Sequence, residues 1–124
     1  MGKQDEITCA YLAQKSKIEK AQEENYRLEK LMQKTKEFLE EEQHRSKTWL
    51  EAFEKPAYQD RGAKAIFNDL WDNHIYAISE NDKMIEQSFV DIRHERAELE
   101  REKESLDENY RKAIKEKDNN GVKR

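Results

Sequence analysis

The sequence predicts an all-α fold, an elongated antiparallel helical hairpin of coiled-coil type, and three observations carry that prediction. Apolar residues recur at alternating steps of three and four along two long stretches, the spacing that lines one side of a helix. Between those stretches the chain gathers its only proline, its one mid-chain glycine and both tryptophans. Charged residues make up 42% of the 124 positions against 35% hydrophobic, too polar a balance for a thick globular core of ordinary shape. The net charge is only −4, from 24 basic and 28 acidic residues, and the apolar positions are periodic, which separates the chain from disordered polyampholytes. The reading is therefore one long, thin helical domain over residues 1–124.

The first helix is expected over about 5–54. Ile7, Tyr11, Ile18, Ala21, Leu28, Met32, Leu39, Trp49 and Phe53 fall on one seam, interrupted by Gln14, Asn25, Thr35, Glu42 and Ser46. No proline or glycine stands between Ile7 and Phe53, so nothing local stops a helix of about 45 residues, roughly 70 Å long. Leu31 and Phe38 lie beside this seam, and Leu12 and Tyr26 lie further round.

A turn is expected over about 55–62. Pro56 disfavours helical geometry at Lys55 and removes a backbone donor, and Gly62 permits turn conformations. So short a connector between long helices implies antiparallel neighbours.

The second helix is expected over about 63–118. Trp71, Ile78, Ile85, Ile92, Leu99, Leu106 and Ala113 recur at a strict seven-residue interval, with a companion row Ile75, Asp82, Phe89, Arg96, Lys103, Tyr110 that is half apolar. Ser79 and Asp82 resemble a capping pair that would restart a helix after a break, but the unbroken step from Ile78 to Ile85 favours continuity. A separate short helix over 63–78, folded against the turn, is an alternative. Asn119, Asn120 and Gly121 are expected to stop the helix and leave the tail 119–124.

Folding the arms about position 59 brings Trp49 and Phe53 toward Phe67 and Trp71, so the turn end is expected to pack most tightly. The other end is expected to be solvated helix supported by pairs such as Asp107 with Arg111 and Glu108 with Lys112.

No catalytic constellation stands out, and the chain reads as a non-enzyme with no cofactor and no metal. Glu41 with His44 and Asp91 with His94 have the carboxylate-x-x-His spacing of di-iron bundles. In a hairpin turning near position 59, however, the two histidines stand roughly 30 Å apart along the bundle. His44 could face His74 with Asp72 nearby, a weak single site at most. Cys9 is the only cysteine, so no internal disulfide forms. No serine occupies a glycine-flanked turn, and three glycines make no phosphate-cradling loop. Acids interleave the basic residues, Lys30, Lys34, Lys36 and the tail Lys123 and Arg124 included, which argues against nucleic acid.

Met1 to Glu6 lacks an apolar signal core, Glu6 stands where a myristoylation motif needs Ser or Thr, and no run approaches the roughly 20 apolar residues of a membrane span. The expected location is cytoplasmic, with co-export lacking a cleaved signal as the alternative.

The apolar residues outside the seams suggest a partner surface. A hairpin buries only its facing stripes, which leaves Leu31, Phe38, Leu50, Ile66, Leu70, Tyr76, Met84, Val90 and Ile114 partly exposed. The candidate interface is Leu31, Phe38, Trp49, Leu50, Phe53, Ile66, Phe67, Leu70, Trp71, Ile75 and Tyr76, and the expected partner is another helical protein. Homodimerisation into a four-helix bundle would hide the same residues.

In layout the chain resembles the Lap-type targeting factors of Gram-positive type VIIb secretion systems. The likeness covers most of the chain: two arms, an aromatic middle (Trp49, Phe53, Ile66, Phe67, Leu70, Trp71) and a charged final arm through Tyr110. It implies a WxG-like hairpin that binds the helical N-terminal domain of an LXG toxin and directs it for export. The Trp-x-Gly turn of the wider superfamily is absent, since Leu50 and Glu51 follow Trp49, and Ile114 stands where an aromatic-x-x-x-acid export signal beginning at Tyr110 would need an acid. A second resemblance is to hairpin stalk proteins of flagellar and type III export ATPases. A self-associating coiled-coil spacer is the third reading.

Overall fold

The computed structural model describes residues 2–54 and 61–122, the last five of them as backbone only. Two helices account for nearly all of it: α1, Lys3–Ala52, and α2, Arg61–Val122. They pack together as an all-α helical hairpin, as the two seams require, and no strand occurs among the described residues.

Helix α1 opens with Asp5 and Glu6 in its first turn, where carboxylates complement the unpaired amide donors, and the Asp5 amide bonds the Gly2 carbonyl at 3.0 Å. It closes with tighter three-residue bonds, from the Phe53 amide to Leu50 and from the Glu54 amide to Glu51, before Pro56 is reached. The expected turn at 55–60 lies outside the described residues.

Helix α2 differs from expectation at both ends. It already includes Arg61 and Gly62, so this glycine serves as a first-turn helical residue, and no described glycine has positive φ. It also runs through Asn119, Asn120 and Gly121 to Val122, because a cap signal permits a stop without compelling one. It is continuous through Ser79 to Asp82, since the Ile78 to Ile85 step keeps both turns on the buried side.

The sequence reads as a single domain; the folded chain divides into two compact units, each holding a segment of both helices. Unit 1 comprises 1–28 and 91–124, and unit 2 comprises 29–90.

In unit 1 the buried apolar side chains are Ile18, Ile92 and Leu99, with Ile7, Tyr11, Ala21, Leu106, Tyr110 and Ala113 half-buried beside them. Cross-helix bonds run from Thr8 to Tyr110, Tyr11 to Asp107, Gln22 to Glu100 and Arg96 to Asn25. Numbers fall on α2 as they rise on α1, so the segments are antiparallel. Glu108 and Lys112 pair along α2 at 3.4 Å as expected, whereas Asp107 accepts the Tyr11 hydroxyl. Ile114, expected to be partly exposed, is half-buried.

In unit 2 the buried side chains are Leu50 and Ile85. Here the expected seam needs correction. Leu50, assigned to the exposed surface, is only 3% exposed, and Trp49, assigned to the seam, is 56% exposed. The step from Leu39 to Leu50 is eleven residues, about 3.67 per turn, so the buried line on α1 leaves the strict heptad and passes from Trp49 to its neighbour.

The row Trp71, Ile78, Ile85 faces inward as predicted, but after Trp71 and Ile78 its companion falls three residues on and not four: His74 and Asn81 are half-buried while Ile75 and Asp82 are exposed, and after Ile85 both Ser88 and Phe89 are half-buried. Unit 2 is therefore lined by polar side chains at three consecutive companion positions. The expectation that this region packs most tightly is not met among the described residues.

Candidate functional site: an exposed apolar face on unit 2

The residues named as an interface divide into three groups in the structure. Leu31, Phe38, Trp49, Ile66, Leu70, Ile75 and Tyr76 are exposed. Phe53, Phe67 and Trp71 are half-buried and hold local aromatic contacts. The Trp49 and Phe53 rings meet edge-on at 4.7 Å, Phe67 and Trp71 are stacked at 6.1 Å, and His74 lies 5.8 Å from the Trp71 ring. Leu50 is buried and belongs to the core of unit 2, so it is no part of a surface.

Helical geometry organises the exposed group. At about 100° per residue, Leu31, Phe38 and Trp49 fall within about 20° of one another on α1, and Ile66, Leu70, Ala77 and Met84 fall within about 40° on α2. Each row lies back from its helix's buried line, by about 110° on α1 and about 70° on α2. Antiparallel helices seen down a common axis turn in opposite senses, so equal backward displacements land on the same side of the pair. The two rows therefore form one face of unit 2. Ile75 lies about 90° forward of the buried line on α2, toward the other side, where α1 presents polar residues such as Gln33, Glu40 and Lys47, while Val90 and Tyr76 fall on the back of α2, Tyr76 about opposite the buried line.

Most members of this face belong to the candidate interface expected from the sequence, where they stand together with seam residues. Met84 stood outside the candidate interface, although its seven-residue spacing from Ala77 and Leu70 marks the row. The eleven-residue step to Leu50 is the signal that separates Trp49 from the seam.

Charged surroundings are organised along single helices: Arg45 with Glu42 at 3.0 Å, Lys47 with Glu51 at 3.9 Å and Lys83 with Glu80 at 3.5 Å. These exposed pairs contribute little to stability.

Among the described residues no three His, Cys, Asp or Glu side chains come together in a metal-binding arrangement. His94 lies 3.1 Å from Glu98 on its own helix, and Cys9 is exposed. No described helix is long and apolar enough to cross a membrane. No protein-family model matches the chain, and neither a curated protein nor a solved structure matches it.

Proposed function

We propose that the chain is a non-enzymatic adaptor whose unit 2 binds a helical partner along the face formed by Leu31, Phe38 and Trp49 with Ile66, Leu70 and Met84. The observation that carries the reading is the placement of large apolar side chains on one side of a helix pair whose own seam is partly polar. These six side chains expose on the order of 600 Å², taking roughly 200 Å² for a large side chain. That is the upper range for the largest apolar patch on a monomeric protein, and approaches the roughly 800 Å² per partner of a standard interface. A helix with apolar residues at three- and four-residue spacing would fill the groove between the two rows.

The partner class is narrowed by the resemblance to Lap-type targeting factors, and by that alone. On this reading the partner is the helical N-terminal domain of an LXG toxin, and the chain aids its export by a type VIIb system.

The test is to mix the purified chain with such a toxin domain and measure mass by light scattering, for the parent and for Phe38→Ala and Trp49→Ala. A stoichiometric complex that both substitutions weaken at unchanged helicity supports the adaptor. A tight dimer of the chain that excludes the toxin domain, and that the same substitutions dissociate, assigns the face to a second copy and makes the protein a self-associating spacer.

A further inference from the structure

Unit 1 poses a problem that its apolar residues do not solve. Ile92, Leu99, Leu106 and Ala113 repeat at seven-residue intervals, so α1 could slide by one heptad along α2 and still meet an apolar row. Two polar clusters interrupt that uniformity.

At the first, Asn25 is 1% exposed, the only fully buried polar side chain among the described residues. Its Nδ2 donates to the Ile92 carbonyl at 2.9 Å, and its Oδ1 accepts from Nε of Arg96 at 3.1 Å. At the second, the Tyr11 and Tyr110 rings stack with centroids 4.0 Å apart and planes inclined by 10°. The Tyr11 hydroxyl donates to Asp107 and accepts from Nζ of Lys15 at 3.2 Å. The Thr8 hydroxyl proton goes to the Gln4 carbonyl at 2.9 Å, so the Tyr110 hydroxyl donates to Thr8 across the pair at 3.0 Å.

Tyr11 and Asn25 stand two heptads apart on α1, and Arg96 and Tyr110 stand two heptads apart on α2. The spacings match only in the observed alignment. A slip of one heptad toward the start of α2 sets Asn25 level with Phe89, which carries no donor. A slip the other way offers Lys103 to Asn25 but leaves Tyr11 beside Lys117, parted from Asp107 and Tyr110.

We infer that the Asn25–Arg96 and Tyr11–Tyr110 clasps act jointly as the register code of unit 1, selecting one alignment out of an apolar row that accepts several. This inference is independent of the adaptor reading, because no residue of the unit 2 face takes part.

The test places spin labels at Ala13→Cys and Arg93→Cys in a Cys9→Ser background, both sites being exposed and about 20 Å apart in axial rise from a level position. The parent is expected to give one narrow distance. In Y11L/N25L/R96L/Y110L, where both clasps become apolar, a second distance is expected, displaced by close to the roughly 10 Å rise of one heptad. Leucine is a strong helix former at all four positions, so helicity is expected to persist.

A second variant, R96L/K103R/D107I/Y110L/I114D/K117Y, moves all three α2 partners, Arg96, Asp107 and Tyr110, along by one heptad. It is expected to shift the whole distribution in one direction. A single unchanged distance in either variant at parental helicity overturns the inference.

Discussion

In unit 1 the fully buried polar side chain, Asn25, has both ends of its amide occupied, and Ile18, Ile92 and Leu99 are buried, although Leu28 of the expected seam is exposed. In unit 2 His74, Asn81 and Ser88 occupy half-buried companion positions, while Phe38, Trp49 and Ile66 lie outside the seam. Among the described residues unit 1 exposes three large apolar side chains, Leu12, Tyr26 and Leu28, whereas unit 2 exposes nine, so the same two helices hide their apolar surface far better in one segment than in the other. The difference teaches that total apolar content is a poor guide to packing. Unit 2 holds both tryptophans and all four phenylalanines, yet only Leu50 and Ile85 are buried among its described apolar side chains. What decides burial is which residues fall on the line where the helices meet, and large aromatic groups just off that line become surface.

The largest effect that would break this comparison is expected at two neighbouring residues of unit 2. Leu50→Ala should cost about 2–5 kcal/mol in denaturant unfolding, as a cavity in the core does. Trp49→Ala should cost less than about 1.5 kcal/mol of stability, mostly its edge contact with Phe53, while weakening partner binding by about 2 kcal/mol or more. Equal stability losses at the two positions would mean that the seam had not moved to Leu50.

Next in size, Asn25→Ala in unit 1 should lower unfolding stability by about 1–3 kcal/mol, because it removes a satisfied buried amide and its bonds to the Ile92 carbonyl and to Nε of Arg96. An unaltered denaturation midpoint would show that the buried amide contributes nothing net.

Filling the polar row of unit 2 should act in the opposite direction. Asn81→Leu, at a half-buried seam position, is expected to raise stability by about 0.5–2 kcal/mol, read as a higher midpoint at unchanged slope. A loss of stability there would mean that Asn81 has a polar partner worth more than apolar contact.

The smallest effect concerns pH. The hydrogen bond to Tyr11 raises the Lys15 ammonium above its ordinary value, and the charge of Asp107 acts in the same direction. A raised folded value makes a contribution that is complete below the ordinary lysine range and is lost as pH climbs through the raised value. Because Lys15 keeps substantial contact with solvent, the loss should be slight. Unfolding curves for Lys15→Met and the parent should therefore differ a little at neutral pH and converge at strongly alkaline pH; a difference that widened there would contradict the assignment.

The two-helix architecture, the continuity of α2 through Ser79 to Asp82 and the inward row from Trp71 to Ala113 were legible because each follows from spacing along a single helix. So was most of the exposed face, since Leu31, Phe38, Ile66 and Leu70 stand off any heptad seam. The placement of Trp49 and Leu50, the switch of the companion row from Ile75 to His74 and the occupied amide of Asn25 were not legible. Each depends on where one helix meets the other.

By itself, then, the sequence determined that the chain is two long helices with more apolar surface than one pairing can hide, because helical periodicity is local and survives any arrangement of partners. Only the tertiary structure decided which residues that surplus consists of. A straight helix drifts about 20° per heptad against an ideal 3.5-residue repeat. Over a helix of 50 residues that drift suffices to carry a neighbouring side chain into the contact line and turn a tryptophan outward.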